Sequence, residues 1–387
     1  MLNSETFAKE KILTRKIISL GMLIGCILIL VGCGQKQPQT KIPKADADHL
    51  TITTQYHRNK QNIELLHNFL KDSMVQKAGI YTNFNNNQKK SDNATGHDML
   101  SESSGLWLEY LAQTHQNKAF REFYKNTKKY FDQGRQFSYR IDGKTKKKSD
   151  VNATLDDLRI IRALQIYAQN NNSKKYRHEA AERVAMLQTT SIQKARVLNF
   201  YDVRTKKASN ESSLAYYDLA TLKYFESVSK KERGYYREQL KLVEKGYLGD
   251  IFPLYAPSYN WKTNQYGTKN LNTSEALITV LHLAEIGKMK PETVSWLKMQ
   301  IDNKKLYNSY TTAGAIEDHD QSTGNYAIAA MIFARNGDRK YYQKAMNLVW
   351  DDQVRNKNSK IYGALGDTKD NDAYSFNNLL ALLTSQY

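Results

Sequence analysis

The sequence predicts an all-α protein, an (α/α)6 toroid of twelve helices with short β-hairpins in its loops. Three observations carry this expectation. Apolar residues recur with 3.6-residue spacing along most of the chain beyond residue 50, and two-residue alternation is confined to short pieces. Tight turns alternate with long segments rich in Gly, Asn and Tyr, so the helices come in antiparallel pairs. Each long segment ends in a polar helix start: SESSG from Ser101, ATLDD from Ala153, NESS from Asn210, NTSEA from Asn272, STGNY from Ser322 and DNDAYS from Asp370.

Taken in order, the helices are expected near 59–77, 100–115, 118–133, 154–170, 173–191, 211–227, 231–247, 272–287, 291–302, 323–336, 338–350 and 372–386. Asn117, Asn172, Lys230, Lys290 and the Asn336–Gly337–Asp338 turn join pair members closely. Asp142–Gly143 and the stretch around Arg204 and Lys206 read as hairpin tips, the first by its Asp-Gly turn chemistry. Ser101 is expected as an N-cap, and Asn272 with Glu275 and Thr154 with Asp157 have capping-box spacing. Gly105 lets a neighbouring chain approach. In a ring of this kind the inner helices all start at one end, so their dipoles, caps and loops gather on one face.

The N-terminus has a different logic. Lys11, Arg15 and Lys16 precede an apolar run from Ile17 to Val31, and Gly32 and Cys33 follow, the order of an export signal. Leu30 to Cys33 also resembles a bacterial lipobox, with lipidation of Cys33 implied. The run is short for a membrane span of about 20 residues. The domain reading is therefore a signal peptide over 1–32, a polar tether over 33–50 and a catalytic domain over 51–387. Cys26 and Cys33 are the only two cysteines, so a mature domain has none for a disulfide, metal or nucleophile.

The formal net charge of +18 implies attraction to polyanions. The lysines read as scattered over helix faces and hairpin tips, with no nucleic-acid module and one short tract, Lys146 to Lys148, so a nucleic-acid partner is not expected. No phosphate-binding Gly loop, GxSxG elbow or His pair at metal spacing occurs, and no cofactor or metal is expected.

The predicted geometry gathers Glu102, Asp156, Asp157, Glu211, Glu275 and Asp372 near one rim, with Asp250 in a long loop above them. First-turn acids are favoured by the helix dipole alone, and resemblance separates some of them from caps. Ser101, Glu102 and Gly105 match the SExxG pattern that holds the proton-donating Glu of glycoside hydrolase family 8. ATLDDLRIIRAL, from Ala153, resembles that family's ATDxDxxIAxxL signature, and SSLAYYDLATLKYF, from Ser212, resembles its PSYFxPxxYRxF helix. GDIFPLYAPSYNW, from Gly249, falls where the family has an aromatic cleft loop. The first signature Asp aligns with Leu155, the second with Asp157, and Asp156 stands between. The family's water-activating Asp would align near Leu271 and Asn272, where this chain has no acid.

The resemblance implies an inverting glycosidase on an (α/α)6 toroid, similar to the family 8-type enzymes with which some Gram-positive bacteria cut their own exopolysaccharide. Such chemistry needs a carboxylic acid on the leaving oxygen and a carboxylate that activates water, about 6.5–9.5 Å apart. Glu102 is the expected acid, and Asp156 or Asp157 the neighbour that grips the central sugar. Asp250 is nominated as base, with Asp218 and Glu275 behind it. Trp107, Tyr216, Phe252, Tyr255, Tyr259 and Trp261 are candidate sugar platforms, because aromatic faces stack on sugar C–H faces. The expected protein is a monomer, held on the outer membrane face by its lipid, acting on a polysaccharide. A noncatalytic glycan-binding lipoprotein and a polysaccharide lyase on the same toroid are the alternatives.

Overall fold

Whether a helix lies inside or outside the ring is set by how much of its surface is apolar. A computed structural model describes residues 40–43, 47–86, 95–228 and 234–387. The expected signal peptide, Cys33 and the first part of the tether lie outside the described residues, as does the expected helix start at 231. Among the described residues there are twelve α-helices. They are α1 Lys60–Phe69, α2 Ser101–Gln113, α3 Asn117–Phe131, α4 Thr154–Asn170, α5 Lys174–Leu187, α6 Leu219–Phe225, α7 Tyr236–Lys245, α8 Thr273–Glu285, α9 Pro291–Asn303, α10 Thr323–Arg335, α11 Arg339–Asp351 and α12 Ser375–Thr384.

The even-numbered helices are buried nearly all round. In α4 every residue from Thr154 to Ala168 is buried, and in α10 every residue from Gly324 to Ala334. The odd-numbered helices bury one stripe; α3 buries Phe120, Phe123, Tyr124, Thr127 and Phe131, which recur at helical spacing. Contacts run from α2 to α4, from α4 through the Leu214–Tyr216 turn to α8, and on through α10 and α12 back to α2. The short helix α6 also packs on α8. These contacts close a ring, consistent with the expected toroid, with α3, α5, α7 and α11 against its outside.

First-turn side chains tie the inner helices to one another. Ser101 Oγ donates to Asp156 Oδ2 (2.8 Å), Ser274 Oγ to Asn325 Oδ1 (2.6 Å) and Ser322 Oγ to Asn377 Oδ1 (3.0 Å), while the hydroxyls of Ser103 and Ser375 lie 2.9 Å apart. Because first turns meet first turns, these inner helices point the same way and their N-termini form one rim.

Most helix boundaries agree with expectation, and the exceptions have local causes. Residues 211–213 form a strand paired with Ser258–Asn260, which satisfies their backbone groups. Leu214–Tyr216 is a 3-10 turn, and α6 begins only where Asp218 caps it by accepting from Thr221 N (3.0 Å). Ser101 is not a cap, since its hydroxyl is committed to Asp156. Nor does Thr154 cap, because its hydroxyl donates to Leu198 O (2.6 Å). Asn272 and Ser322 do cap their helices. Both expected hairpins form, Tyr201–Asp202 against Lys207–Ala208 and Ile141 against Lys148. The compact unit begins at Lys41, earlier than expected, because Ala47 and Leu50 are fully buried in the core.

At Gly105 α2 lies close against α4. A Cβ there would lie 2.9 Å from Arg159 Cβ. Gly105→Ala is expected to lower stability in urea unfolding by about 1–3 kcal/mol through overpacking, outweighing a helix-propensity gain of up to about 1 kcal/mol.

Candidate active site

The rim is charged on one side. Glu102, in the first turn of α2, accepts from Arg159 Nη1 (3.1 Å), and the same nitrogen reaches Asp156 Oδ1 (3.3 Å). Arg159 and Asp156 are buried on α4, whereas Glu102 keeps about a quarter of its side chain exposed (27%). Burial and the nearby Glu102 carboxylate push the Asp156 carboxyl upward, against the pull of Arg159 and Ser101. Glu275, in the first turn of α8, accepts from Ser213 Oγ (3.4 Å). Water reaches Glu275, yet protein surrounds it on most sides; this desolvation raises its carboxyl, and Glu102 adds to the rise. Tyr216 stands among Asp156, Glu275 and Glu102, and its phenol is raised by burial and by all three charges. The rim thus brings three carboxylates, one guanidinium and a phenol together.

Other candidates go elsewhere. Asp157 is a buried brace: Oδ1 accepts from Phe137 N (2.8 Å) and Oδ2 from Asn152 Nδ2 (2.7 Å). Burial pushes its carboxyl up to about 7 against those two bonds. Asp250 is exposed and accepts from the Tyr247 hydroxyl (2.9 Å). The Tyr247 ring lies under Lys290, the residue before α9, so Asp250 belongs to the surroundings of an outer helix start, away from the Glu102 group. Trp107 is buried and stacked on His67 and Tyr110. Phe252 is buried against Trp296 and Tyr310, and Tyr255 against Tyr247. These three rings face no open space for a sugar, because their apolar area is spent on the core. Tyr259 and Trp261 are half-buried, 4.8 Å apart, and Trp261 Nε1 donates to Ser212 Oγ (2.8 Å), next to the serine that meets Glu275. Glu211 accepts from Ser258 Oγ (2.5 Å) and Asp372 from Asn83 Nδ2 (2.9 Å), both local braces. Asp218 lies deeper, as the cap of α6.

Sequence reasoning missed Arg159 and a charged cluster inside the ring. Arg162 Nη1 reaches Glu285 Oε2 (2.9 Å) and Asp218 Oδ1 (3.4 Å), its Nη2 also binds Glu285, and its Nε lies 3.6 Å from Glu109. Arg335 Nη2 lies 3.9 Å from Glu285, and its Nε donates to the Tyr387 hydroxyl (3.0 Å). The signal was a pair of Arg residues one turn apart, at 159 and 162, within the apolar run Leu158–Leu164 of α4. Asp218, His282 and Glu285 place ligand atoms within 4.8 Å of one another. The donor set does not suit a metal ion, because Arg162 already supplies the positive charge.

Asp157 gives two expectations. Its folded carboxyl titrates above the unfolded value, so its stabilising contribution is full below about pH 4 and is lost as pH rises towards 7. Asp157→Asn should flatten stability against pH in that window. It should also lower stability at pH 5 by about 1–3 kcal/mol, because a second amide donor then faces Asn152. Urea unfolding across pH reads both.

No protein-family model matches the chain. YdaJ of Bacillus subtilis (strain 168), a protein named as a lipoprotein, is 26% identical over 324 residues, 79% of this chain and 84% of that one. An α-amylase from Clostridium perfringens superposes with a TM-score of 0.77 at 28% identity, over 87% of this chain and 99% of its own. A cold-adapted family 8 xylanase does so at 0.60 and 11% identity, over 89% and 93%. D-mannose isomerase also shares the fold, at 0.60 and 13% identity over 84% and 96%, so the ring alone does not fix the reaction. The chain thus has the fold of that family 8 xylanase, and its SExxG and ATLDD segments, which resemble segments of glycoside hydrolase family 8, stand together on one rim of it.

Proposed function

We propose that the protein is an extracellular, lipid-anchored glycoside hydrolase that cleaves a secreted polysaccharide such as an exopolysaccharide of a biofilm matrix, acting within the chain and with inversion. The observation that carries this reading is the meeting of Glu102, Asp156 and Glu275 around Tyr216 at a rim that water reaches. Glu102 donates a proton to the leaving oxygen. Glu275, raised and therefore more basic, activates water from α8 and takes the role first nominated for Asp250. Asp156 grips the central sugar and keeps a proton near Glu102, and Arg159 fixes the Glu102 carboxyl from below. Tyr216, Tyr259 and Trp261 supply sugar-stacking faces. Anchoring through Cys33 is supported by the lipobox and by the relative named as a lipoprotein. Among the described residues no helix is long and apolar enough to cross a membrane.

The second reading, a noncatalytic glycan-binding lipoprotein, is favoured by one feature: no acid stands at Leu271 or Asn272, where the family places its base. Turnover decides between them. Glu102→Gln and Glu275→Gln should each lower the release of reducing ends from matrix polysaccharide by about 10²-fold or more, with the helical circular dichroism intact. Asp250→Asn should stay near wild type. Proton NMR of the first product should show the inverted anomer. Full activity of Glu102→Gln overturns the assignment, and binding without turnover supports the second reading. Activity should also fall as pH rises past the point where Asp156, its carboxyl raised by burial, gives up its proton; Asp156→Asn should move that limb.

A further inference from the structure

The two cationic hairpins that looked scattered in the sequence are neighbours at the rim. The first turns at Asp142–Lys148 and carries Lys144, Lys146 and Lys147; the second turns at Asp202–Lys207 and carries Arg204, Lys206 and Lys207, all six exposed. A bridge between Val151 and Asp202, a Val203 N to Asp150 O bond (3.0 Å) and the Arg204–Asp150 ion pair (3.0 Å) join them side by side. Their tips are fixed. Lys146 and Lys206 hold the left-handed turn positions (φ 58° and 57°), and Asp142 and Asp202 each accept two backbone N–H groups of their own turn. Those aspartates are therefore used in shaping the tips, and among the described residues none of the five lysines is in an ion pair.

The patch also has an address. Arg140–Ile141, the strand leading into the first hairpin, pairs with Met99–Leu100, the two residues before α2 and Glu102. Tyr139 O accepts from Ser101 N (3.0 Å). A cluster of lysines on two ordered turns thus flanks the proposed catalytic centre, in which carboxylates outnumber guanidinium groups.

We infer that the paired hairpins are a docking platform for a polyanionic glycan strand, which they hold while an uncharged stretch of the same chain lies across Glu102. This deepens the hydrolase reading and rests on it for the cleavage step, whereas binding can be measured alone. Lysine ammonium groups act as point charges on exposed anionic substituents, and over a Debye length of about 8–10 Å several act together, so the attraction is strong at low salt and screened at high salt.

The test uses the full chain and two polymers of one backbone, carboxymethyl-dextran and dextran. Wild type should bind carboxymethyl-dextran at least tenfold more tightly at 50 mM NaCl, with the preference lost at 500 mM. The triple change Lys144→Glu, Lys147→Glu and Lys207→Glu leaves both left-handed turn positions untouched and should weaken that binding at least tenfold. A control triple on the outer helices, Lys118→Glu, Lys125→Glu and Lys174→Glu, removes the same charge and should change it less than threefold. Equal losses in the two triples would mean that net charge alone binds, and would overturn the platform. So would a hairpin triple that loses affinity for phosphatidylglycerol vesicles while keeping it for carboxymethyl-dextran. Glu102→Gln should bind like wild type, so failure of the hydrolase reading would show in turnover and leave this result standing.

Discussion

The ring depends on a largely buried charge cluster. Arg162 from α4 meets Glu109 from α2, Asp218 at the cap of α6 and Glu285 from α8; Arg335 from α10 joins at Glu285, and Tyr387, just beyond α12, closes on Arg335. Every inner helix or its immediate flank supplies one member. Burying such ions is expensive in itself, and breaking one partner away is worse, at roughly 3–5 kcal/mol, because the others are then stranded. Each helix is therefore held at one axial height. An apolar stripe alone would let it slide by a turn, and the Arg–carboxylate contacts make that slip costly.

Fixing the heights of the inner helices fixes the rim. The first turns of α2, α4, α8, α10 and α12 become level with one another, which is what allows Ser101 to meet Asp156 and Ser103 to meet Ser375. The carboxylates of the proposed site then stand together without belonging to any one loop. Arg159 lies one turn above Arg162 on the same helix, so a single face of α4 serves both the buried cluster and the rim.

The architecture was legible because it is written in periodicity and turn chemistry, which are local. Helix α4 spans residues 154–170 as its sequence predicts, since its apolar surround and the Asn171–Asn172 turn mark it without help from the rest of the chain. Caps were read less well. Ser101 and Thr154 have the right side chains, but in the fold each finds a stronger use in a partner from a distant segment, and spacing does not reveal that. Asp156 and Asp157 are adjacent in sequence and about 100° apart on the helix. One turns to the rim and the other to Phe137, a division settled by the neighbour each one meets. The aromatic loop misled in the same way: Phe252 and Tyr255 have the composition of a sugar platform, yet Thr293, whose hydroxyl donates to Pro253 O (2.7 Å), draws that loop onto α9. Arg159 and Arg162 escaped notice because a charged residue on a helix is ordinarily a solvated one.

The seam between α12 and α2 bears on how the molecule comes into being. Ser103 and Ser375, whose hydroxyls meet there, are separated by 272 positions. Five of the six inner-ring junctions join helices that are near in sequence and can form as the chain grows, whereas this one must wait for the last helix. Until it closes, the flanks of α2 and α12 remain exposed apolar surface, the condition under which partly folded chains associate wrongly. Loop-closure entropy rises only slowly with length, so the delay adds little to the thermodynamics. Its effect is kinetic: ring closure joins the two ends of the helical array across the greatest sequence separation in the inner ring, and contacts of such separation slow folding.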